Sequence, residues 1–90
     1  MPVVRHEVTV TNRLGLHARA AMMLSETAKR FNCRIHIRKG DRDADGASIL
    51  EIMQLAGVLG DLLVFEADGE QAEAAIAALR ELVERKFGEE

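Results

Sequence analysis

The stretch NRLGLHARAA, residues Asn12 to Ala21, decides how this chain folds. Before it, Val4, His6, Val8 and Val10 alternate with Arg5, Glu7 and Thr9, the two-residue period of a half-buried strand. After it, Ala18 to Arg30 contains no helix breaker. Ala21, Leu24, Ala28 and Phe31 recur there at spacings of three and four, the stripe of an amphipathic helix. The change of period places His17 at the mouth of the helix, where serine, threonine, aspartate or asparagine would be the favoured cap. Either a tolerant loop accepts the histidine, or the helix start is there to serve it.

Working outward, Cys33, Ile35 and Ile37 alternate with Arg34, His36 and Arg38 and predict a second strand. KGDRDADG, Lys39 to Gly46, reads as a turn with room for a short edge strand. SILE at Ser48 to Glu51 is a capping box: the Ser48 hydroxyl accepts from the Glu51 amide while Glu51 reaches back. A short helix should run from there to about Ala56 and stop near Gly57 or Gly60. Leu62 to Ala67 has the length and apolarity of a strand. Asp68 then precedes a long helix whose buried stripe is Ala72, Ala75, Ile76, Leu79, Leu82 and Val83. With no repeat, linker or low-complexity segment, residues 1–90 read as one domain. The simplest way to bury every stripe is an α+β open-faced sandwich, an antiparallel sheet with all helices on one face. Arg34, His36 and Arg38 would line the solvated face.

Composition narrows the function. Ninety residues with 48% hydrophobic content suit a single modest core, filled by aliphatic side chains and methionine because only three Phe and no Trp or Tyr are present. A net charge of -3 argues against a nucleic-acid partner. The lone Cys33 excludes an internal disulfide and a cysteine-based zinc site. His6 and His36 read as strand residues without a role, and three scattered histidines do not suggest a metal site. No apolar stretch approaches the roughly 20 residues of a membrane span, and MPVVRHEV lacks the apolar core of a secretory signal. The expectation is a soluble cytoplasmic monomer that needs no cofactor and has neither nucleic acid nor membrane as a partner.

The chemistry gathers at the helix mouth. A helix N-terminus offers unpaired N–H groups and the positive end of its dipole, which together favour an anion. A phosphoryl group on a histidine nitrogen is such an anion, and neutral imidazole is a competent nucleophile. Gly15 would let the backbone turn tightly and, with Ala18, approach the phosphoryl oxygens. Arg19 could donate to the same oxygens. On residue types alone, a loop histidine and a solvated arginine make the simpler account. A first-turn cation opposes the helix dipole, however, and an anionic ligand would reconcile the two.

LGLHARAA, Leu14 to Ala21, resembles the active-site signature of the HPr-type phosphocarriers of the bacterial phosphotransferase system. DGASILEIMQLAG, Asp45 to Gly57, resembles their second signature at a fitting separation, and the likeness extends through FEADGEQAEAAIAAL to cover essentially the whole chain. The resemblance implies a four-stranded sheet with three helices. It implies that His17 accepts a phosphoryl group from a phosphorylated enzyme I and passes it to an enzyme IIA, assisted by Arg19, in a carrier rather than an enzyme. Ala20 stands where most sugar-system carriers have proline; with the Asp45–Ile49 approach and the FGEE ending it is closer to NPr, the nitrogen-related branch, the sugar-system carrier being the alternative. Alanine is an excellent helix former, so the helix start need not suffer.

In some members the serine matching Ser48 is phosphorylated by a regulatory kinase and often follows a basic residue. Here Ala47 precedes it, which favours the capping role. Met23, Ile49, Leu50 and Met53 read either as core or, on the family pattern, as a partner-docking patch beside His17. Glu26 and Glu51 depart from the more basic surround of sugar-system carriers. A small regulatory ligand-binding domain remains a different class with the same layout, but it has no use for the His17–Arg19 pair. A hydrolase is weaker still, since no acid is placed by sequence to orient His17 as a base.

Overall fold

The computed structural model describes residues 3–89. Four strands, β1 (Val3–Thr9), β2 (Cys33–Lys39), β3 (Arg42–Asp45) and β4 (Leu62–Gly69), form one antiparallel sheet in the order β1-β4-β2-β3. Three helices, α1 (Ala18–Lys29), α2 (Ile49–Gln54) and α3 (Ala72–Glu84), pack on one face, and a single 3-10 turn, Lys86–Gly88, follows. This is the open-faced sandwich expected from the sequence, with β3 as the edge strand inside Lys39–Gly46.

Alternation decides which side of each strand is buried. In β4 every second residue, Leu63, Phe65 and Ala67, is buried, and across the registers Val8↔Leu63 and Ile37↔Phe65 their neighbours join them. The helical stripes close over this layer: Ala21, Leu24 and Ala28 from α1, Ile52 from α2, and Ala75, Ile76, Leu79 and Val83 from α3. Leu24, Ile52, Leu63, Phe65 and Leu79 are completely buried. Truncating any of the leucines to alanine should cost about 2–5 kcal/mol.

The solvated face carries charge in rows, as Arg34 and Arg38 led one to expect. Arg5 lies 3.0 Å from Glu66, which is also 3.4 Å from Arg38. The β2–β3 hairpin supports α2 as well. Lys39 donates to the Ala56 carbonyl (3.0 Å) and Arg42 to that of Gln54 (3.3 Å), cations placed where the helix leaves carbonyls unpaired. Lys39 also pairs with Asp61 at 3.1 Å, and the Val58 amide with Lys39 holds the Asp61 carboxyl below its ordinary range.

Only half of the expected capping box forms. Ser48 accepts from the Glu51 amide (3.1 Å), but Glu51 reaches past the cap to the amide of Asp45 (2.8 Å). The Ser48 N–H is already taken by the Asp45 carbonyl, so Glu51 finds the next free donor. The strand expected to end at Ala67 continues to Gly69, and α3 begins at Ala72 after an N-cap, Gln71, that makes no side-chain cap bond. Gln71 instead receives the amide of Asn32 at 2.6 Å.

Candidate functional site

The strand-to-helix junction is built by two residues. Gly15 adopts φ +66, and a Cβ there would lie 2.4 Å from the Gly57 carbonyl oxygen, so only glycine allows residues 12–16 to pack against the loop after α2. The next amide, Leu16, donates to that same oxygen at 2.9 Å. Asn12 is fully buried beneath the loop and its Nδ2 donates to the Gly15 carbonyl at 2.8 Å. The Gly15 amide in turn donates to the Asn12 carbonyl. Gly15, expected near the phosphoryl oxygens, has both its backbone groups engaged within the junction, and its work here is the turn.

His17 is itself the N-cap of α1. Its backbone is extended (φ -72, ψ 177), and its Nδ1 accepts from the amides of Arg19 (3.2 Å) and Ala20 (3.4 Å). The ring does what a serine or aspartate oxygen does elsewhere, which accounts for a histidine at this position. Nδ1 must keep its lone pair to accept, so the geometry assigns the ring proton to Nε2.

Nε2 faces an acid that sequence reasoning did not place. It donates to the Glu89 carboxylate, whose other oxygen accepts from Asn12 Nδ2 at 3.2 Å. The acid that the sequence does not place beside His17 is supplied by the tertiary structure. The tail is aimed by a left-handed turn: Lys86 and Phe87 hold φ +56 and +57, and the buried Phe87 side chain anchors them against α3. Left-handed backbone costs a residue with a side chain on the order of 1–2 kcal/mol, which the buried ring offsets. The bond from His17 is the largest influence holding the Glu89 carboxyl below its ordinary range, with Asn12 and the charge of Arg19 adding to it against desolvation. A buried asparagine before the turn and an acid near the end of the chain were visible as residues; nothing local joined them.

Ala18 and Arg19 are exposed in the first turn, and among the described residues Arg19 forms no ion pair. The first turn thus presents amides, an exposed guanidinium and an imidazole nitrogen side by side. Ile49, Leu50 and Met53 are exposed at 38%, 65% and 40%, as a docking patch requires. Met23 is not with them. It is half-buried against the core and lies with Thr27 and Leu82 along the α1–α3 groove. Met22, one position earlier and three after Arg19, is the exposed methionine of α1. Leu14, Val58 and Leu59, which the sequence reading passed over, are also exposed. Val58 takes part in the contact of Gly15 with the loop after α2, and Leu14 and Leu59 are the chain neighbours of Gly15 and Val58. Ser48 is half-buried and its hydroxyl is engaged as a cap.

Residues 4–85, which include this junction, match the family model described as the PTS HPr component phosphorylation site. The chain belongs to the HPr family. It is 39% identical over 88 residues to phosphocarrier protein HPr of Xylella fastidiosa, covering 98% of this chain and 99% of the relative. It is 38% identical over 89 residues to phosphocarrier protein NPr of Shewanella violacea, covering 99% and 98%. The structure of HPr-C-His from Thermoanaerobacter tengcongensis superposes with a TM-score of 0.92 at 37% identity, over 97% of this chain and 98% of that one. That of HPr from Bacillus anthracis gives 0.87 at 34%, over 92% and 99%. This HPr membership makes the chain a phosphocarrier of the phosphotransferase system.

Proposed function

We propose that His17 accepts the phosphoryl group on Nδ1 from a phosphorylated enzyme I-type donor and passes it to an enzyme IIA-type acceptor. The observation that carries this reading is the placement of Nδ1 as an acceptor against the amides of Arg19 and Ala20 at the α1 N-terminus. The Nδ1 lone pair attacks phosphorus while the donor's bond to phosphorus breaks. The amides of Arg19 and Ala20 then turn from the nitrogen to the new phosphoryl oxygens, the Ala18 amide joins them, and the Arg19 guanidinium meets the same charge. Phosphorylation leaves the ring positively charged, and the Glu89 carboxylate on Nε2–H offsets that charge. Catalysis of such a transfer is mostly positioning and electrostatics, and these groups supply both. The return step to the acceptor reverses each exchange. The protein leaves the cycle unchanged, as a carrier rather than an enzyme.

Within the family we assign the chain to the nitrogen-related branch. Ala20 in place of proline supports this, as do the exposed acids Glu26 and Glu51. The sugar-system branch is the second reading, favoured by the HPr relatives of comparable similarity. The test incubates the chain and His17→Ala with phosphoenolpyruvate and each enzyme I of its own organism. Acid-labile phosphate should appear on the parent alone, and fastest with the nitrogen-related donor. Equal labelling of His17→Ala would remove the acceptor assignment, and faster labelling by the sugar-system donor would reverse the branch.

A further inference from the structure

The strand order leaves two open edges, β3 and β1, and they differ in kind. The β3 edge is only RDAD, Arg42 to Asp45. Any two-fold antiparallel register with a second copy sets like charges together there: Asp43 against Asp45 about Ala44, or a charged residue against itself about the other three. Short length and like charge are the usual protections of an edge. β1 has seven residues and no such protection.

Two-fold pairing of β1 with itself keeps outward residues opposite outward residues, which limits the registers. Centring on Arg5 or on Glu7 sets that charge against its own copy. Centring on His6 sets Arg5 opposite Glu7 twice, Val4 opposite Val8 twice, and Val3 opposite Thr9 at both ends. Only this central register is attractive throughout its charged positions. A second observation agrees with it. Glu7 is exposed, its β4 neighbour is Val64, and among the described residues it forms no ion pair. Along the row Asp45, His36, Glu66, Arg5 the acids and bases alternate, and the outermost member is the base Arg5, 3.0 Å from Glu66. Glu7 of a second copy is the next acid in that series.

We propose that β1 is a self-association edge, on which two copies pair antiparallel about His6 into one eight-stranded sheet. All helices then lie on one face, and each His17, beyond the end of β1, stays outside the paired span. The contact is strand edge alone, so the dimer forms in concentrated solution and the chain is a monomer when dilute.

Sedimentation velocity from micromolar to millimolar concentration, at about pH 8 to keep imidazole neutral, tests it. The parent should shift from monomer towards dimer as concentration rises. Glu7→Arg and Arg5→Glu should each stay monomeric, because either makes the facing charges alike. An equimolar mixture of the two should dimerise, because every base then faces an acid. A parent that stays monomeric to millimolar concentration overturns the proposal. So does a Glu7→Arg chain that dimerises like the parent, as exchange of whole strands would allow. Should Arg5→Glu misfold through its proximity to Glu66, amide exchange in the parent decides. Slower β1 exchange at high concentration supports the paired edge, and unchanged rates refute it.

Discussion

Glu89 accepts from Nε2 of His17 across 72 positions of sequence, while the amides of α1 occupy Nδ1 on the other side of the ring. The imidazole is therefore clamped between an acid from the end of the chain and a helix from its beginning. Ring orientation and tautomer are set before any donor arrives.

Loosening that clamp should slow transfer. With Glu89→Ala the ring loses one of its two anchors, and phosphorylation by enzyme I should fall by about tenfold, as small misplacements of a reacting group do. Glu89→Gln, which keeps an acceptor, should recover part of the rate. An unchanged rate for Glu89→Ala would show that the clamp is idle. The clasp also carries a pH signature. A carboxyl group held below its ordinary value in the folded state stabilises the fold above the unfolded value of about 4.3 and loses that contribution as pH falls through the lower, folded value. Melts of the parent and Glu89→Gln should differ at neutral pH and converge as pH falls through that lowered folded value.

Arg19 should matter to transfer and little to folding. Its guanidinium is exposed and forms no ion pair among the described residues, and a cation in the first turn gains nothing from the helix dipole. Arg19→Ala should lower the transfer rate by at least about tenfold, since charge-assisted donors to phosphoryl oxygens are among the stronger contacts. Its melting temperature should equal or exceed the parent's. A rate equal to the parent's would remove the assigned role.

Ser48→Ala removes a cap hydrogen bond of 3.1 Å from a helix of only six residues. The expected loss is about 1 kcal/mol in a denaturant titration. No measurable loss would mean that Lys39 and Arg42, at the other end of α2, hold the helix without it.

The docking patch and the core are separated by one residue. Met53→Glu should fold and should weaken labelling by enzyme I, because Met53 is 40% exposed beside Ile49 and Leu50. Ile52→Glu should not fold stably, since Ile52 has no exposed surface and an unpaired carboxylate there is costly. Met22→Glu should behave like Met53→Glu. If it instead destabilises the chain as a buried charge would, the patch has been drawn on the wrong face of α1.

Sequence alone determined the elements and their order, because each is written in residues within four positions of one another. The alternation of Ile35 and Ile37, the stripe from Ala72 to Val83 and the Ser48 cap all act over that range. It also marked His17, because a poor cap before a good helix is a local anomaly. The tertiary structure decided what surrounds the ring. Met22 and Met23 differ by about 100° around the helix axis. Which of them is exposed depended on where α3 lies. Gly15 proved to be a packing glycine because the loop after α2 crosses it. Glu89 reaches Nε2 because a left-handed turn, anchored by the burial of Phe87, reverses the chain after α3. No periodicity encodes a contact of that kind: the turn is stable only once the core that buries Phe87 has formed.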